Sequence, residues 1–297
     1  MDMGIYRNLA RLAIAIAVAG SVAATSHGQA SYSATIKAWR EKREAELKSD
    51  GGWLTVTGLF WLKEGANRFG TDPSNEIVLP EGSTLSRAGA FEFHAGKTTL
   101  RAEAGANILS EGRPVTSLEI RPDADGKPTV LNAGGVSMQV IKRGERYGVR
   151  IKDSNSRRRR EFTGLRWFPA REMFRVKASF VAYDKPRGIA ITNVLGDVQN
   201  MPSPGYAIFA LGGKKYRLDP VLDDDRLFFI FSDLTSGKST YPAGRFLYSD
   251  MPENGFVTLD FNQAINPPCA FTAFATCPLP PRQNRLKVAI GAGEMKP

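Results

Sequence analysis

The sequence predicts an all-β protein, a β-sandwich or open barrel with two β layers or subdomains, preceded by one short N-terminal helix. Three observations lead there. Short runs rich in Val, Ile, Thr and aromatic residues recur at fairly even spacing, each ended by Gly, Asp, Asn or Pro. In Phe174–Tyr183 the residues alternate, with Phe174, Val176, Ala178 and Phe180 on one face and Arg175 and Lys177 opposite, the period of a half-buried strand. Helical periodicity is confined to Tyr32–Lys48, where Ile36, Trp39, Arg40 and Leu47 mark one stripe among Lys, Arg and Glu.

In chain order, residues 1–30 read as a secretory signal peptide. Arg7 and Arg11 precede the apolar run Leu12–Ala24, and small residues close the segment before a cut after Ala30. The run falls well short of the roughly 20 apolar residues that span a bilayer, and no later segment is long enough to do so. The helix, assigned to 31–50, stops at Ser49-Asp50-Gly51-Gly52. Trp53–Leu62 is too apolar and β-prone for a surface helix and reads as a buried strand pair.

Phe91–His94, Ser117–Ile120, Thr129–Leu131, Ser137–Lys142 and Gly148–Lys152 follow as strands of a β-sandwich-like half, 51–168. The run Arg157–Arg160 reads either as an anion-binding patch or, more simply, as a solvated hairpin turn. Beyond Trp167-Phe168-Pro169 the texture changes. Residues 169–297 form a second β-rich half with strands at Ile189–Val194, Tyr206–Leu211, Lys215–Leu218 and Leu227–Phe231.

A chain of 297 residues can bury a real core, and 42% hydrophobic with 24% charged residues excludes wholesale disorder. The net charge of +10 suits an anionic partner. Export, to the periplasm or the exterior, makes nucleic acid an unlikely one and leaves anionic envelope surfaces as the alternative to a merely solvated basic face. Of the two histidines, His27 leaves with the signal, so His94 alone would serve the mature chain; a zinc site with two or three His is excluded. No metal and no cofactor is expected.

Chemistry concentrates in Phe231–Leu286, which holds both cysteines and seven of the eighteen prolines. Cys269 and Cys277 form an even pair in an oxidising compartment and read as a disulfide, stabilising by roughly 2–3 kcal/mol through loop closure. Asp223-Asp224-Asp225 lacks the spacing of a calcium loop and reads as a turn. Asp233, Arg245 and Asp260 each adjoin strongly apolar sequence, where charges are paired or serve a site. With Thr240, Tyr241 and Asn262 they make a candidate pocket for a small or polymeric polar ligand. Two other readings stay open: a fold-locking structural motif, and a hydrolase using Asp233 and Asp260 as acid and base. Whether the protein is an enzyme is not settled by sequence.

Two resemblances add to this. Asn75-Glu76-Ile77-Val78-Leu79 followed by Ser86-Arg87 resembles the opening of a forkhead-associated domain, which implies a β-sandwich. Thr71 stands where that family carries its phosphate-gripping Arg and Gly89 where it carries a structural His, so phosphothreonine binding is not implied. Asp260-Phe261-Asn262, Asn266-Pro267-Pro268-Cys269-Ala270-Phe271 and Cys277-Pro278-Leu279-Pro280-Pro281 through Asn284 resemble the signature of a bacterial and archaeal family of unknown function. Ser232–Tyr241, Gly244-Arg245 and Ala292-Gly293-Glu294 fit the same pattern. That resemblance implies no activity.

Overall fold

The computed structural model describes residues 31–297, so the export signal expected over 1–30 lies outside the described residues. The first element is helix α1 (Tyr32–Lys48), capped by the Ser31 hydroxyl, which accepts from the Ala34 amide. Its stripe buries Ile36 and Leu47.

The expected strand pair over Trp53–Leu62 is instead a 3-10 turn, Trp53–Thr55, followed by a single strand, β1 (Val56–Trp61). The Thr55 amide and hydroxyl both donate to the Gly52 carbonyl, which closes the turn and uses up the residues a first strand would need. Ten further strands complete the first half: β2 (Gly65–Gly70), β3 (Ile77–Val78), β4 (Gly89–His94), β5 (Lys97–Ala102), β6 (Leu109–Ser110), β7 (Arg113–Pro114), β8 (Ser117–Ile120), β9 (Val130–Ala133), β10 (Val136–Arg143) and β11 (Arg146–Asp153). They form two sheets, β1-β11-β10-β9-β6-β7 and β3-β2-β4-β5-β8, antiparallel except where β2 meets β3. Phe69, Phe91 and Leu100 of one sheet pack against Met138, Val149 and Ile151 of the other, the arrangement of a sandwich core.

The chain leaves this sandwich at Asp153. Arg157–Arg160 forms a short helix, α2, rather than a hairpin turn. Ser156 is the reason: its hydroxyl caps the helix by accepting from the Arg159 amide while donating to the Leu54 carbonyl at 2.6 Å. All four guanidinium groups find local partners, in Glu161, Val56, Asp50 and Asn155.

The second half contains β12 (Arg175–Thr192), β13 (Val198–Leu211), β14 (Lys214–Leu218), β15 (Val221–Asp223), β16 (Arg226–Phe231), β17 (Arg245–Ser249) and β18 (Phe256–Asp260). They make a four-stranded sheet, β14-β13-β12-β18, and a three-stranded sheet, β15-β16-β17. The alternation in β12 places Phe174 and Ala178 in the core, as the sequence pattern requires. In β16 five consecutive residues, Leu227–Phe231, are buried. Leu227, Phe229 and Phe231 face the four-stranded sheet, while Phe228 and Ile230 face the other way, onto Ala275 and Cys277. That outer layer is the irregular segment Phe261–Leu286, shaped by 3-10 turns at Phe261–Gln263, Pro268–Ala270 and Arg282–Asn284. Among the described residues no helix is long and apolar enough to cross a membrane.

Candidate functional site

The residues expected to form a polar pocket fall into two buried clusters that share no hydrogen-bond partner. In the first, Arg245, 1% exposed, reaches the Asp233 carboxylate at 2.9 Å and donates to the carbonyls of Ile290 and Ala292. Asp233 also accepts from the amides of Ile290 and Thr235 and from the Thr235 hydroxyl, which in turn meets Thr240 at 2.8 Å. Every charged atom is answered, as an ion pair removed from water requires.

The second cluster gathers around Asp260. The Tyr32 hydroxyl donates to its carboxylate at 2.9 Å, and Asn262 bridges Asp260, Tyr32 and the backbone of Arg171. Burial and then the Asp260 carboxylate push the Tyr32 hydroxyl far above its ordinary value, so the phenol stays protonated and donates. Asp233 is enclosed, whereas Asp260 lines a pocket with Arg175, Arg226 and Tyr248 that Asp233 does not share, so the two do not flank a common cleft. Asn284 is likewise structural: its amide group exchanges hydrogen bonds with the backbone of Asp219 and Ile230.

Tyr241 stands apart from both clusters and donates to the Cys269 carbonyl at 2.9 Å. Cys269 and Cys277 are free thiols in the structure, with the Cys269 amide donating to the Cys277 sulfur at 3.1 Å. His94 is exposed and lies 3.2 Å from the Glu64 carboxylate.

A third polar group joins α1 to the end of the chain. Glu294, fully enclosed, accepts from Arg43 at 3.0 Å and from the Asn266 amide at 2.7 Å. Burial raises its carboxyl above the ordinary value, opposed first by the Arg43 charge. Nearby, Arg40 donates to the Phe168 carbonyl and Glu44 accepts from the Leu165 amide and the Trp167 indole. The first helix of the described chain therefore belongs to the second half of the molecule.

This docking encloses the cavity that best fits a binding site, about 580 Å³ in volume. One wall is α1, through Trp39, Lys42, Arg43 and Glu46; the opposite wall is the outer face of β17, with Phe246 and Tyr248. Trp53 and the turn Asp223–Asp225 close the ends, and Gln263, Asn266 and Pro268 form the rim from the irregular segment. Tyr248 is held flat by Phe228, stacked at 4.7 Å with an interplanar angle of 9°. Burial first, then Asp223, keeps the Tyr248 hydroxyl protonated. Asn266 is fully buried, its amide nitrogen donates to the Met295 carbonyl, and its side-chain oxygen has no partner.

Three cations and four carboxylates line the space, so it carries little net charge, and no Ser, Cys or His is among its walls. The set can stack on a flat ligand and exchange hydrogen bonds with it, and its groups able to act as acid, base or nucleophile include the carboxylates of Glu46 and Asp223–Asp225. Among the described residues no group of three or more His, Cys, Asp or Glu side chains is placed to hold a metal ion. Trp39, Trp53 and Tyr248 escaped sequence reasoning because nothing local says that α1 folds back onto residues 246–294. The usable signal was Asn266, an amide set in a Pro-rich turn within the signature.

Comparison with known proteins agrees with the weight of the second half. Residues 160–295 match the family described as "Protein of unknown function (DUF1684)". The solution NMR structure of an uncharacterized protein of Haloarcula marismortui is 30% identical, with the match covering 46% of this chain and 79% of that one at a TM-score of 0.39. No curated protein matches the chain.

Proposed function

We propose that this chain, whose residues 160–295 match a family of proteins of unknown function, is an exported binding protein whose cavity between α1 and β17 takes a small or polymeric polar ligand of the cell envelope. The observation that carries this reading is the wall itself. Aromatic faces at Trp39, Trp53 and Tyr248 meet convergent polar groups, and the buried Asn266 oxygen lacks the partner that such an atom ordinarily finds. Flat apolar faces beside mixed hydrogen-bonding groups of near-zero net charge suit a saccharide ring.

The test is titration of the purified protein with soluble glucose and N-acetylglucosamine oligosaccharides, followed by tryptophan fluorescence and calorimetry. Saturable binding that Trp53→Ala abolishes, with the far-ultraviolet spectrum unchanged, is the expected result. Failure of every oligosaccharide to saturate the signal would remove the saccharide reading. The signature residues Asp233, Arg245, Asp260 and Asn262 support a second, structural role, since each is answered by protein groups and all but Asp260 are enclosed.

A further inference from the structure

We propose that Cys269 and Cys277 are a redox-active thiol pair in which Cys269 exchanges with a disulfide oxidant and Cys277, beside the buried Arg150 guanidinium, resolves the mixed disulfide. The inference stands independently of the ligand cavity. It begins with an imbalance in β11. Val149 and Ile151 point into the first sandwich core, so Arg150 points out, toward the irregular segment of the second half. There it is 4% exposed, and its Nε and one terminal nitrogen have no hydrogen-bond partner.

A guanidinium removed from water without an anion is costly, and proteins of this size seldom leave one so. The groups around it leave few candidates. Arg143, from β10, is a like charge and already holds Asp123 and the Thr276 hydroxyl. Trp53 lies 5.1 Å from the Arg150 guanidinium carbon and offers only its ring face. Lys152, next on the same face, donates to the Gly51 carbonyl. Two groups of opposite charge reach Arg150, the Asp123 carboxylate held by Arg143 and then Cys277, which feels the Arg150 charge in return.

The pair is built unequally. Cys277 is 4% exposed, whereas Cys269 is half-buried. The 3.1 Å bond from the Cys269 amide to the Cys277 sulfur holds the two residues together, and Tyr241 fixes the Cys269 carbonyl from the other side. The hydrogen bond from the Cys277 thiol lowers the Cys269 thiol to about 7, burial opposing it and the Tyr241 hydroxyl adding to it. Cys277 moves the opposite way, because it is the donor in that bond and is buried. One thiol is therefore poised to attack and the other to resolve.

In the exchange, the Cys269 thiolate attacks one sulfur of the oxidant, a mixed disulfide forms, and one oxidant thiolate leaves. Cys277 then loses its proton and attacks the Cys269 sulfur, which closes the Cys269–Cys277 bond and expels the second oxidant thiolate. Two cysteines are oxidised, one disulfide is reduced, and the two protons end on the released thiols.

Alkylation of the full chain with iodoacetamide across pH 5–10, mapped by mass spectrometry, tests this. Cys269 should label at least tenfold faster than Cys277, with a midpoint below that of a free cysteine at about 8.5. Oxidised glutathione should block both sites and lower the mass of the chain by two hydrogens. Cys277→Ala should raise the Cys269 midpoint toward the free-cysteine value of about 8.5, and oxidised glutathione should then leave Cys269 as a stable mixed disulfide. Equal labelling only after unfolding in urea, or a wild-type midpoint at or above the free-cysteine value, would show that the pair is packing and overturn the proposal. A folded Cys277→Ala chain whose Cys269 midpoint is unchanged and which forms no mixed disulfide would overturn it as well.

Discussion

The first sandwich is closed mainly by aliphatic and aromatic side chains, whereas the second buries Asp233, Arg245, Asp260 and Glu294 together with Asn262, Asn266 and Asn284. Both solve the same packing problem, but they fail in different ways. An apolar core loses stability in proportion to the atoms removed. A core of paired charges loses little when a whole pair is exchanged for apolar groups and a great deal when one partner is taken away. The family match, over residues 160–295, covers the half built in the second way.

The contrast is broken most forcefully at Arg245. Arg245→Met leaves Asp233 buried without its cation and should cost roughly 3–5 kcal/mol, read as a shift in the urea midpoint. Adding Asp233→Leu should recover part of that loss. If the double variant is as unstable as the single, the pair does not act as a unit and the contrast between the halves weakens.

A smaller effect separates charge from packing at Glu294. Its folded-state carboxyl sits above the ordinary value near 4.5, because burial outweighs Arg43. The folded chain therefore holds this proton more tightly than the unfolded one. The contribution is fully present below the ordinary value and is lost as pH rises through the raised folded one. Unfolding midpoints measured between pH 4 and 8 should show this slope in the native chain and a flatter one in Glu294→Gln; equal slopes would refute the assignment.

The smallest effect belongs to the first half. Ile151→Val removes one methylene from an apolar core and should cost about 0.5–1.5 kcal/mol, with no pH dependence beyond that of the native chain. A larger or pH-dependent loss would mean that β11 couples its core face to Arg150 on the other.

Much of this was legible from residue pattern. The helix over Tyr32–Lys48, the alternation in β12 and the punctuated strands of the first half all follow from periods that local sequence carries. The short helix at Arg157–Arg160 was hidden because a single serine, Ser156, decided it through a cap and one long-range bond to Leu54. The candidate residues stood out in the sequence because charges beside apolar strands must be answered. Their partners were not readable: Asp233 meets Ile290, and Asp260 meets Tyr32, 228 residues away. The cavity was invisible for the same reason, as its two walls come from residues 39–53 and 223–268.

The bond between Arg43 and Glu294 spans 251 positions. Such a contact closes a loop as long as the molecule, so it forms only after both sheets have shortened the path between its ends. Helix α1 has partners at Leu165, Trp167, Phe168 and Asp260 before that, but its bond to Glu294 can close only when the end of the chain is in place. The cavity depends on the same closure, because Asn266 on its lining is held by Glu294 and Met295.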